Sequence, residues 1–138
     1  MPKVVLSNTK GLIQESGEAA ANLAPGIAFG AQAVTAAGNS LATAGSISAT
    51  GGSLVVVSGA DNTKGVVLPA LADVPAGQLF MIQNNTAGQT LEVYPAAADT
   101  IGTVGDGLPV TIAALSMLIC VKADATQWIA AEPPTVSA

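Results

Sequence analysis

Three groupings in this chain carry side chains that could do chemistry. Asp99-Thr-Ile-Gly-Thr-Val-Gly-Asp106-Gly107 sets two carboxylates in a Gly-rich loop, Cys120 offers a thiol, and Tyr94 with Trp128 offers aromatic faces. A calcium loop needs oxygen ligands at alternate positions and usually a closing Glu. Only one of those slots is filled, so Asp99 and Asp106 read as turn formers, as do Asp61-Asn62 and Asp73. Cys120 lies inside the apolar run Met117-Leu-Ile-Cys-Val121, and the chain has no histidine to activate a thiol. It reads as a small buried hydrophobe, and a lone cysteine forms no internal disulfide. Tyr94 and Trp128 could stack on a sugar, but neither has an Asp, Asn or Arg cluster beside it in sequence. A single Trp among apolar strands is more often a core or interface anchor.

Two weaker patterns fail on spacing or context. Gly59-Ala-Asp-Asn-Thr-Lys64-Gly65 lacks the order of a phosphate loop, and no helix follows it. Asn84-Asn85-Thr86 is a glycosylation sequon. The opening Met-Pro-Lys-Val-Val-Leu has no apolar core of a signal peptide, so the chain is expected to be made in a cytoplasm and not to meet that machinery. The stretch Val110 to Val121 is too short and interrupted to span a bilayer, which takes about 20 residues. No catalytic, cofactor-binding or metal-ligating residue is predicted, and the chain reads as a non-enzyme.

Composition points the same way. Half of the 138 residues are hydrophobic, 9% are charged and 3% aromatic, with a net charge of −5. All four basic residues are lysines (Lys3, Lys10, Lys64 and Lys122), and they are scattered, so nucleic-acid binding is not expected. Soluble small domains usually carry roughly 25–35% charge on their surface. So few charges, with so much Ala, Gly, Ser and Thr, predict that subunit contacts supply stability the monomer core lacks. A homo-oligomer is expected.

The elements that must position these residues are strands. The spacing predicts strands over 53–58, 65–68, 78–83, 90–94, 110–112, 115–122 and 127–129, separated by turn residues. Such regular short runs predict an all-β fold, a β-sandwich or barrel of jelly-roll type with an extended N-terminal arm. Leu91 and Val93 should share one face of their strand, Glu92 and Tyr94 the other. Runs that are apolar on both faces, such as Leu79 to Ile82, should be covered by the core on one side and by the arm or a neighbouring subunit on the other. No internal repeat is evident. The expected organisation is an arm over 1–14, an Ala/Gly/Ser-rich extended tract over 15–52 packed on the domain or a neighbour, a β domain over 53–132 and a tail over 133–138.

One group of motifs has a familiar order: Gly65-Val-Val-Leu-Pro69, Gly77-Gln-Leu-Phe-Met-Ile-Gln-Asn-Asn85, Leu91-Glu-Val-Tyr-Pro95, Asp99-Thr-Ile101 and Ala125-Thr-Gln-Trp128. Over about residues 53–130 this resembles a β-rich domain of virion structural proteins of tailed bacteriophages, particularly head decoration (cement) proteins and some tail or fibre components. Lys3-Val-Val-Leu and Lys10-Gly-Leu-Ile-Gln14 resemble the arm of such decoration proteins. The resemblance implies no catalytic or metal residue. It implies that Pro69 and Pro95 end strands, that Trp128 packs the last one, and that the protein clamps the outside of a capsid shell as a homotrimer, with the major capsid protein as partner. Val4, Val5, Leu6, Leu12 and Ile13 are the expected shell or subunit contacts. A tail-fibre, spike or baseplate component is the alternative within that class, and a carbohydrate-binding module the alternative outside it.

Overall fold

The computed structural model describes residues 4–7, 11–14 and 30–131. The described part is all-β, with one 3₁₀ turn at Leu71–Asp73 and no α-helix. Strand β1 (Val4–Ser7) pairs antiparallel with β2 (Gly11–Gln14), bringing Val5 opposite Ile13 and Leu6 opposite Leu12. The expected path of 15–29 and the tail 133–138 lie outside the described residues.

From Gly30 the chain winds. Strands β3 (Ala31–Thr35), β5 (Leu54–Ser58) and β7 (Leu79–Asn84) lie side by side in one sheet, and all run parallel. Between them, β4 (Gly45–Ser46), β6 (Gly65–Val67) and β8 (Leu91–Tyr94) form parallel ladders in a second sheet. The register aligns Ala31 with Leu54 and Leu54 with Met81, so each circuit returns the chain beside its earlier path. Four further strands close the structure: β9 (Thr100–Ile101), β10 (Val110–Ile112), β11 (Met117–Lys122) and β12 (Gln127–Ala131). The final orders are β10-β8-β6-β4 and β3-β5-β7-β11-β12-β9.

The all-β class is as expected from strand spacing, but the arrangement is solenoid-like and not clearly the jelly-roll sandwich or barrel. The physical reason is that strand spacing does not specify partners. From β3 to β11 each connection carries the chain across to the opposite sheet, and β11 and β12 then fold back on each other as a hairpin. The circuits also form a structural repeat that residue identity hides. Val66 stacks on Val93 and Val67 on Tyr94, yet Val57 stacks on Asn84. Residues 31–35 and 45–46 of the Ala/Gly/Ser-rich tract are strands in the same two sheets as the residues after Gly52.

One apolar cluster fills the space between the sheets. Val55, Val57, Val66, Phe80, Ile82, Leu91, Val93, Ile112, Leu118 and Trp128 are buried within it. Phe80 meets Trp128 edge to face, with centroids 5.8 Å apart and planes at 63°. Leu91 and Val93 point inward as their alternation requires, while Glu92 is half-buried on the outer side. Tyr94 also faces outward but is buried, because its ring lies over Gly65. A Cβ at Gly65 would sit 2.6 Å from Tyr94 Cε2, so only glycine fits beneath the ring. Strand β8 ends at Tyr94, immediately before Pro95. Proline cannot continue a ladder because it has no N–H.

Candidate functional site

The three candidate groupings have structural partners. Asp99 is almost fully buried, and its Oδ2 accepts a hydrogen bond from the Leu71 N–H at 2.9 Å. Asp106 lies exposed in the following turn. Lys122, half-buried at the end of β11, donates through Nζ to the carbonyls of Leu71 (2.7 Å) and Val74 (2.8 Å). An acid and a base thus grip the 3₁₀ turn from its two polar ends, one through an N–H and one through carbonyls. Neither role was legible in the sequence, where Asp99 reads as a loop acid and Lys122 as a strand terminus. Lys122→Met should keep the aliphatic stem but leave two carbonyls without their charged donor. It is expected to cost about 1–3 kcal/mol, measured as a shift in the urea midpoint.

Cys120 is fully buried on β11, and burial pushes its thiol up to about 12. The side chain is therefore a poor nucleophile at neutral pH. Native protein should resist a thiol-specific disulfide reagent at pH 8, and one thiol should react on denaturation. The unfolded thiol ionises near pH 8.5 while the folded one stays protonated, so stability should fall as pH rises from about 8.5 toward 12.

Two further acids, Asp61 and Asp124, build turns. Asp61 Oδ1 accepts from the Thr63 N–H (3.1 Å), the Thr63 hydroxyl (2.9 Å) and the Lys64 N–H (2.9 Å), and its other oxygen lies 3.0 Å from Lys64 Nζ. The Lys64 ammonium, with these bonds, holds the carboxyl well below the usual range. Asp124 repeats the motif on Thr126 and Gln127, and the Thr126 N–H lowers its pKa. The segment 59–65 thus closes as a turn centred on Asp61 and Lys64.

Trp128 is fully buried and Tyr94 is 7% exposed, so neither presents a ring face on which a sugar could stack. The Trp128 indole N–H has no hydrogen-bond partner among the described residues. A second buried polar cluster that sequence reasoning missed centres on Asn84, the last residue of β7. Its Nδ2 donates to the carbonyls of Gln89 (2.8 Å) and Ala113 (3.1 Å), and its Oδ1 accepts from the Thr86 N–H (3.1 Å). The sequon asparagine is thus a buried tie between two turns. The signal in sequence was its place in a strand that otherwise alternates apolar residues toward the core.

The predicted contact residues Val4, Val5, Leu6, Leu12 and Ile13 all fall on the β1–β2 pair. Among the described residues no group of His, Cys, Asp or Glu side chains is placed to hold a metal ion. No helix there is long and apolar enough to cross a membrane. No family model, curated protein or solved structure matches this chain. The polar side chains of Asn84, Asp99 and Lys122 are turned toward the backbone.

Proposed function

We propose that this chain is a non-enzymatic virion structural protein that decorates the outside of a phage capsid shell, as a homo-oligomer and specifically a trimer. The observation that carries the reading is the run of short motifs from Gly65 to Trp128, preceded by Lys3-Val-Val-Leu and Lys10-Gly-Leu-Ile-Gln14. The scarcity of charge and the structural use made of Asp99, Cys120 and Lys122 support it. The work of such a protein is differential binding. Contacts made only on the assembled shell stabilise that state by mass action, and many weak copies around a lattice add avidity. The β1–β2 pair, with Val4, Val5, Leu6, Leu12 and Ile13, is the proposed contact to the major capsid protein or to a neighbouring copy.

The test is the copy number of this chain relative to the most abundant shell protein in purified particles, by quantitative mass spectrometry. A ratio near parity supports decoration, and absence from particles overturns the virion reading. Deleting residues 1–14 should abolish shell attachment, and unchanged attachment would remove the arm from the proposal. A tail-fibre, spike or baseplate role is the second reading. The solenoid-like winding favours it, because coils stack along an axis and lend themselves to elongated assemblies. A ratio of a few copies per hundred shell subunits selects that reading.

A further inference from the structure

We infer that the outer face of the six-stranded sheet is the surface through which copies of this chain pack on one another. The inner face of that sheet belongs to the core, and the residues alternating with the core ones point outward. None of the outward residues on β3, β5, β7, β11 and β12 is charged. The ladders join them into rows. Leu54 lies beside Met81, Met81 beside Ile119, and Leu79 beside Val121, which in turn lies beside Ile129. Ile129 is 56% exposed, and the other five are half-buried. The opposite sheet is different: its outer side carries Glu92, which accepts a hydrogen bond from the Thr111 hydroxyl.

Size and charge both select a second copy as the occupant. Six strands about 4.8 Å apart and about five residues long present roughly 480 Å² in projection. Two such faces bury on the order of 1,000 Å² before side-chain relief is added, which reaches the scale of a specific interface. Among the described residues the one further sheet, the β1–β2 pair, is too small to cover it, since two four-residue strands occupy roughly 130 Å². Copies carrying a net charge of −5 repel one another, so close approach favours a surface free of acids. Contiguous apolar rows on the surface of soluble proteins mark interaction sites. The inference deepens the homo-oligomer part of the proposed function and stands apart from the shell part.

Light scattering of the full chain after size exclusion, at micromolar concentration, tests it. The mass should be a multiple of the 13.4 kDa chain. Met81→Lys and Ile129→Lys should each return it to a single chain without changing the circular dichroism spectrum, whereas Thr111→Lys should leave the oligomer intact. A fold-independent readout is peroxide oxidation of Met81 and Met117 in the unaltered protein, expected to be several-fold slower at high than at low protein concentration. A monomer at every concentration overturns the inference. So does an oligomer that survives both lysine substitutions, or one that only deletion of residues 1–14 dissolves. An oligomer that fails to attach to shells leaves this inference standing and removes the decoration reading.

Discussion

Replacing Trp128 by alanine is expected to destabilise the protein by about 3–5 kcal/mol, the usual cost of removing a buried tryptophan. Total stability for a domain of this size is about 5–15 kcal/mol, so the variant should be partly unfolded in moderate urea. The side chain is fully buried between the sheets and meets the edge of Phe80 at 5.8 Å. An edge-to-face pair contributes about 0.5–1.5 kcal/mol beyond the area it buries. Trp128→Phe is expected to cost less than half as much. It retains an aromatic ring and also removes an indole N–H that has no partner among the described residues, a group that costs about 1–3 kcal/mol to bury unbonded. Urea unfolding followed by circular dichroism measures both variants. A folded, equally stable Trp128→Ala protein that has lost binding to a glycan would overturn the core role and restore the sugar-platform reading.

The second large effect is expected at Asn84. Asn84→Ala removes three side-chain hydrogen bonds and leaves the Gln89 and Ala113 carbonyls and the Thr86 N–H without them, at about 3 kcal/mol. Asn84→Asp is nearly isosteric and should be worse at neutral pH. It sets a carboxylate against two carbonyls in a fully buried position, where burial and the adjoining carbonyls raise its pKa above the unfolded value of about 3.9. The sign of the pH dependence is then opposite to that of an ordinary salt-bridged acid. Stability should be greatest below about pH 4, where the protonated acid can donate to one carbonyl, and be lost as pH rises through the folded pKa. Thermal melts of the variant from pH 3 to 7 measure this. A flat profile, or Asp tolerated as well as Asn at pH 7, would mean that the amide donor does not hold these turns.

These two residues show how unevenly the structure was legible beforehand. Trp128 as a packed anchor followed from its setting, Gln127-Trp-Ile129 among apolar strands, because a large aromatic is stabilised almost wherever it can be buried. Asn84 reads as a turn residue next to Asn85, but it is the last residue of β7, and its burial depends on the Ala113 carbonyl arriving from a turn 29 residues on. The same holds for Asp99 and Lys122. Each is an ordinary polar residue until the Leu71–Asp73 turn is brought between them. Strand β3, within Gly30 to Thr35, has no run of large β-formers, and alanine carries little β signal. Its extended form comes from the ladder to β5. Cys120 was legible, since its neighbours alone place it on an inward, apolar strand position.

What the sequence by itself determined is therefore local. Alternation of side chains has a period of two residues, so Leu91-Glu-Val declares a strand and its two faces without reference to anything distant, whereas Leu-Phe-Met-Ile marks a strand but not which face is inner. The scarcity of charge likewise depends on no contact. Which strands lie side by side was decided only in the tertiary structure. Backbone hydrogen bonds are the same for every partner, and lengthening a closing loop changes its entropy only slowly, by about 0.6 kcal/mol per doubling. Hairpin and crossover connections are then close in local cost. The choice falls to how well two apolar faces fill a common core, a property of all the strands at once and of none singly. In this chain that choice wound Val55, Ile82, Val66 and Val93 into stacked circuits around Phe80 and Trp128.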